Sequence, residues 1–136
     1  MMVRRMMRPA LAGAFLVFGT TAGATPAGQI VALDTVQPGE WQLREADGTM
    51  RKMCVRDAAM LFQLRNRGVA CSRFVVDNSP TSATVHYTCP GAGHGRTTIA
   101  VETPRLLRIE SQGIDAGAPF ALELEGRRTG VCPTGS

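Results

Sequence analysis

The sequence predicts an α+β domain: a mostly antiparallel, curled β-sheet or half-barrel meander of about seven strands, with one short helix packed on it. Three observations lead there. Apolar and polar residues alternate with period two in short runs between Gly39 and Arg127, as in strands that are wet on one face. Turn-forming residues stand between neighbouring runs, as at Asp47-Gly48 and Asn78-Ser79-Pro80, so consecutive strands pair as hairpins. Only the stretch between Cys54 and Cys71 changes period, and it reads as a helix.

The chain opens with a leader pattern. Arg4, Arg5 and Arg8 precede an apolar run from Ala10 to Phe18, and Ala22-Gly23-Ala24 follows. These are the three regions of a secretory signal peptide over residues 1–24, cleaved after Ala24. The apolar run is well short of the roughly 18 residues that span a bilayer, so no transmembrane anchor is expected in the mature chain. No cysteine follows the run to accept a lipid, and Arg4-Arg5 lacks the flanking residues of a twin-arginine leader. The expected location is the periplasm. The whole chain has a formal charge of +4, but Arg4, Arg5 and Arg8 are three of its 15 basic residues, and without them bases and the 11 acids nearly balance. Charge therefore argues against a nucleic-acid partner.

Residues 25–37 form an uncommitted lead-in in which Ile30, Val31 and Leu33 suit an edge strand. Residues 38–132 form the domain, and residues 133–136 a tail. Gly39 to Ala46 sets Trp41 and Leu43 against Gln42 and Arg44, Asp47-Gly48 turns the chain, and Met50 to Val55 returns into the helix. Asp57 suits an N-cap and Gly68 a left-handed C-terminal cap. Between them Ala58, Leu61, Phe62 and Leu64 give an apolar face, with Gln63, Arg65, Asn66 and Arg67 toward water.

After the helix, Phe74 and Val76 point one way while Arg73, Val75 and Asp77 point the other. Thr81 to Cys89 places Val85, Tyr87 and Cys89 opposite Thr84, His86 and Thr88. Pro90 to Gly95 reads as a flexible connection, and Ile99 and Val101 face inward from the next strand, which stops near Pro104. Leu107 and Ile109 alternate with Arg108 and Glu110, Gly113 to Pro119 reads as a looser loop, and Phe120, Leu122 and Leu124 face inward against Glu123, Glu125 and Arg127.

Four cysteines, Cys54, Cys71, Cys89 and Cys132, lie beyond the leader, and an exported chain meets an oxidising compartment. Two disulfides follow, with three pairings possible. Cys54 with Cys71 and Cys89 with Cys132 is the favoured pairing. A zinc site is disfavoured, since His86 and Cys89 form a lone H-x-x-C without a second pair.

Gly39-Glu40-Trp41, Cys54 before a short helix, Cys71 leading into a strand, Cys89 with a glycine-rich turn and the closing Arg127-Arg128-Thr129-Gly130-Val131-Cys132 together resemble a family of small exported proteins of Gram-negative bacteria. That family is known only as a domain of unknown function, number thirty-six seventeen. The likeness runs from Pro38 to Cys132; the family's Thr or Ser with Pro after the first cysteine is replaced here by Val55-Arg56. The resemblance implies export and disulfides and carries no activity across.

The residues point away from an enzyme. There is no G-x-S-x-G, no H-E-x-x-H and no phosphate-cradling loop, since Gly91-Ala92-Gly93-His94-Gly95 lacks the Lys and Ser or Thr of a P-loop. His86 on a polar strand face and His94 in a glycine-rich loop read as solvated, and His86 is the best candidate a hydrolase would have. Glu123 and Glu125 share one strand face, which is not the cleft-flanking arrangement of a glycosidase pair. Arg105, Arg108, Arg127 and Arg128 read as strand-end charge that opposes aggregation. No cofactor or metal is expected. The function expected is a monomeric periplasmic module that binds a small apolar or amphipathic molecule or an envelope component; the alternative is a protein inhibitor or interaction module, acting through an exposed loop such as Pro90 to Gly95. The candidate contacts for a small molecule or a periplasmic protein are Trp41, Tyr87, His86 and His94.

Overall fold

The computed structural model describes residues 28–135. The expected leader and its cleavage point at Ala24 lie outside the described residues. Seven strands form one antiparallel sheet: β1 (Gly39–Glu45), β2 (Met50–Val55), β3 (Ser72–Asn78), β4 (Ser82–Cys89), β5 (Gly93–Thr103), β6 (Leu106–Asp115) and β7 (Ala118–Gly130). Their spatial order is β2-β1-β7-β6-β5-β4-β3. From β3 to β7 the chain is a plain meander, and the β1-β2 hairpin then docks on β7, so the beginning and end of the domain pair inside the sheet. The sheet is open, with β2 and β3 as its free edges, and does not close into a barrel.

One face is covered and the other is wet. Trp41, Leu43, Val55, Val85, Ile99, Leu107 and Ile109 all point to the covered face and are at most 1% exposed. Leu61 and Phe62 of the short helix Ala58–Asn66 close over them, fully buried. The helix is 3-10 in character and kinked, with Gln63 at φ −126° and ψ 48°. Asp57 caps its start, accepting a 2.9 Å hydrogen bond from the Ala59 N–H. The kink has a partner: the buried Thr97 hydroxyl donates to the Phe62 carbonyl at 2.7 Å. Beyond the helix, Gly68 has φ 75°, the left-handed conformation expected of it.

Gln63 and Asn66 do not face water as the helical pattern predicts; they are 8% and 4% exposed. The Gln63 amide donates to the carbonyls of Asn66 and Val69, and its oxygen accepts from Nε and Nη2 of Arg73 on β3. A buried side chain with every polar group paired is stable there, and it ties the helix to the edge strand.

The lead-in is not an edge strand. Val31–Thr35 is a short 3-10 helix whose Ala32 is fully buried, with Val36 beside it 9% exposed. Asn78 pins it to β3 by accepting from the Val31 N–H at 3.0 Å and donating to the Gln29 carbonyl at 2.9 Å. Two expected loops are also tighter than the sequence suggests. Gly93 to Gly95 belong to β5, leaving a short turn after Cys89 that is closed by the Ala92 N–H bond to the Cys89 carbonyl. Between β6 and β7 only Ala116 and Gly117 turn the chain.

All four cysteines are in disulfides, but the pairing differs from the favoured one. Cys54 bonds Cys132, and Cys71 bonds Cys89. Register gives the reason. Ser72 is paired with Thr88, so Cys71 and Cys89 are the next neighbours along the β3-β4 ladder. Cys54 of β2 stands opposite Glu40 of β1, which stands opposite Gly130 of β7, so Cys132 needs only to cross the end of β1.

Candidate functional site

A groove of about 410 Å³ opens where two segments leave the sheet at the same end. One is the lead-in, whose Ile30, Leu33 and Val36 turn toward it; the other is the junction from β2 into the helix, which contributes Val55, Ala58 and Ala59. These six give an apolar floor. The rim is polar: Asp34 accepts a 3.1 Å hydrogen bond from the Gln29 amide, and Asp57 is committed to capping the helix. Arg56 completes the rim. An apolar floor with a few oriented polar groups is the usual constitution of a small-molecule site.

Of the four expected contact residues, two are inside the molecule. Trp41 is fully buried, its indole N–H donating to the Gln37 carbonyl at 3.0 Å. Tyr87 is 1% exposed, its ring lying on Gly95 of β5, where a Cβ would stand only 2.5 Å from the hydroxyl. Neither reaches the groove or a surface, so the pocket-mouth position considered for Trp41 is not the one it takes. The other two come together. His86 and His94 are exposed on the wet face of the sheet and line one shallow depression.

Three of the four arginines weighed in the sequence are held by partners. Arg108 is ion-paired with Glu102, Arg127 donates to Glu125 at 2.8 Å, and Arg128 donates to the Pro38 carbonyl. The Arg127 hydrogen bond, helped by the charges of Arg127, Arg108 and Arg44, holds the Glu125 carboxyl below the usual carboxylate range. Glu123 stands opposite Glu110 on β6, so it makes no pair with Glu125 across a cleft. Among the described residues no group of three or more His, Cys, Asp or Glu is placed to share a metal ion.

The groove was missed because its lining is drawn from the lead-in. The signal was present: Ile30, Leu33 and Val36 recur every third residue, the period of a 3-10 helix rather than of a strand. No helix among the described residues is long and apolar enough to cross a membrane. Neither a scan against protein-family models nor a comparison with curated proteins returns a match to this chain.

Proposed function

We propose that the chain is an exported, non-catalytic binding module that takes a small apolar or amphipathic molecule in the groove between the lead-in and the β2-helix junction. The observation that carries this reading is the groove itself, with Ile30, Leu33, Val36 and Val55 beneath a rim of Asp34, Arg56 and Asp57. The packed interior favours this place over the middle of the sheet, where Trp41, Leu43 and Ile99 are fully buried. Two disulfides are compatible with export, and the basic, apolar and small-residue regions of residues 1–24 supply the leader that would direct the chain to the periplasm. The resemblance to the exported family of unknown function rests on the order of Trp41, the four cysteines and the closing Arg-x-x-Gly-x-Cys.

A second reading, an interaction module, is favoured by one feature. Phe74 and Val76 on the free edge strand β3 are 70% and 44% exposed. Exposed apolar side chains on a free edge mark a surface that another chain can cover.

Native mass spectrometry of the protein recovered after export by its own leader separates these. A mass above that of the bare two-disulfide chain, lost in the groove-filling variant Ala59→Phe, supports the groove. A bare chain from repeated preparations, or an adduct that Ala59→Phe retains, overturns it.

A further inference from the structure

The wet face of the sheet has one corner whose charge is not balanced. His86 on β4, Arg96 on β5 and Gln112 on β6 stand directly opposite one another across three strands. His94, two residues before Arg96 and on the same face, stands opposite Thr88 and Ile114. Directly opposed residues in an antiparallel ladder keep their Cβ atoms about 4.5–5.5 Å apart, so these side chains share one small area. All of His86, His94, Arg96 and Gln112 are exposed, and together they line a depression of about 470 Å³. Backbone at Gly95 and Gly113 forms its base, and Ile114 gives it an apolar flank.

Elsewhere on this face Arg108 is paired with Glu102 and Arg127 with Glu125, and Arg44 stands directly opposite Glu125. Arg96 has none among the described residues, and neither His86, His94 nor the Gln112 amide is hydrogen-bonded. Acids approach only from outside. Glu110 lies one row along β6, opposite Thr98, with Glu123 of β7 beyond it. Asp77 of β3 stands in that same row, opposite Thr84, whereas Phe74 is the β3 residue facing His86. Asp115 is held on the helix side by Arg65.

We infer that this corner binds an oxyanion, a carboxylate or phosphate group, carried on a small body with an apolar surface. The Arg96 fork presents parallel N–H groups that match two oxygens of such an anion. The imidazoles of His86 and His94 and the Gln112 amide add donors from two sides. A metal ion on the two histidines is the weaker occupant, because the fixed positive charge of Arg96 stands beside both and no carboxylate is there to offset it. The site lies on the opposite face of the sheet from the groove, and neither depends on the other.

The test is an NMR titration of the oxidised protein with inorganic phosphate, and separately with benzoate, at neutral pH. Saturable shifts confined to His86, His94, Arg96 and Gln112, at least about tenfold weaker in Arg96→Gln, support the site. Stronger binding of benzoate assigns it to a carboxylate on an aromatic body, and stronger binding of phosphate to a phosphate ester. Shifts that never saturate, that spread over all basic residues, or that survive Arg96→Gln overturn it. So does binding of zinc alone that phosphate and benzoate cannot displace.

Discussion

Tyr87 is the chain's one tyrosine, and its hydroxyl is buried without a hydrogen-bond partner, as is Asn66 Oδ1. Burial pushes the phenol up from its ordinary value; the nearby Asp115 carboxylate adds to this, while the Ser111 hydroxyl, close but not in a hydrogen bond, and the Arg65 charge oppose it. Ser111 is already engaged at 2.7 Å with Thr97, whose own hydrogen is given to Phe62. A folded-state pKa above the unfolded one means that the stability from keeping the phenol neutral is complete below about pH 10 and is lost as pH rises through the higher folded value. Phenolate absorbance should therefore appear only above the usual tyrosine range, together with the loss of the buried Trp41 fluorescence. Tyr87→Phe should remove that dependence and stabilise the protein at neutral pH by up to about 1 kcal/mol, since a buried, unpaired hydroxyl is no longer desolvated. Ionisation at the ordinary value with the fold intact would show that the hydroxyl is not closed off from water.

At the scale of elements, alternation in sequence identified all seven strands and the inward set of Val85, Tyr87, Ile99, Ile109 and Leu124. Alternation says which side chains share a face, but not which strands lie together, so the meeting of His86 and His94 beside Arg96 needed the β4-β5-β6 register. The burial of Gln63 escaped for a related reason: its partners, Val69 and Arg73, lie beyond the helix. The β6-β7 turn escaped because of its residue type. Ala116 has φ 49° and Gly117 φ 81°, both left-handed, as in the two-residue hairpin turns that normally call for Asn-Gly. An L-residue with a β-carbon is strained there, and Asn tolerates the conformation better than Ala. Ala116→Asn should thus stabilise the domain by about 0.5–1 kcal/mol, read as a raised urea midpoint with an unchanged slope. A lowered midpoint would mean that the turn is of another kind.

For the molecule as a whole, the disulfides decide how the open sheet is held. The β3-β4 pairing was readable in retrospect, because Cys71 and Cys89 are equidistant from Pro80 in the Asn78-Ser79-Pro80 turn, as cross-strand neighbours must be. Pairing cysteines by nearness along the chain overlooked that symmetry. The second bridge was not readable, since it depends on the β1-β2 hairpin returning to lie beside the last strand. The two bridges therefore act differently. Cys71–Cys89 spans 18 residues and reinforces a hairpin that its own ladder already closes. Cys54–Cys132 spans 78 residues and fastens the edge strand β2 to the end of β7 across β1, joining the two ends of the domain. On loop-closure entropy alone, removing the first costs about 3 kcal/mol and removing the second about 4.5 kcal/mol. The expected outcome is that Cys54→Ser with Cys132→Ser lowers the urea midpoint more than Cys71→Ser with Cys89→Ser. In the first variant, hydrogen exchange should also quicken selectively in β1 and β2, while the β3-to-β6 meander keeps its protection. Peptide mapping that finds Cys54 joined to Cys71, or a larger loss from the β3-β4 pair, would contradict this division of labour.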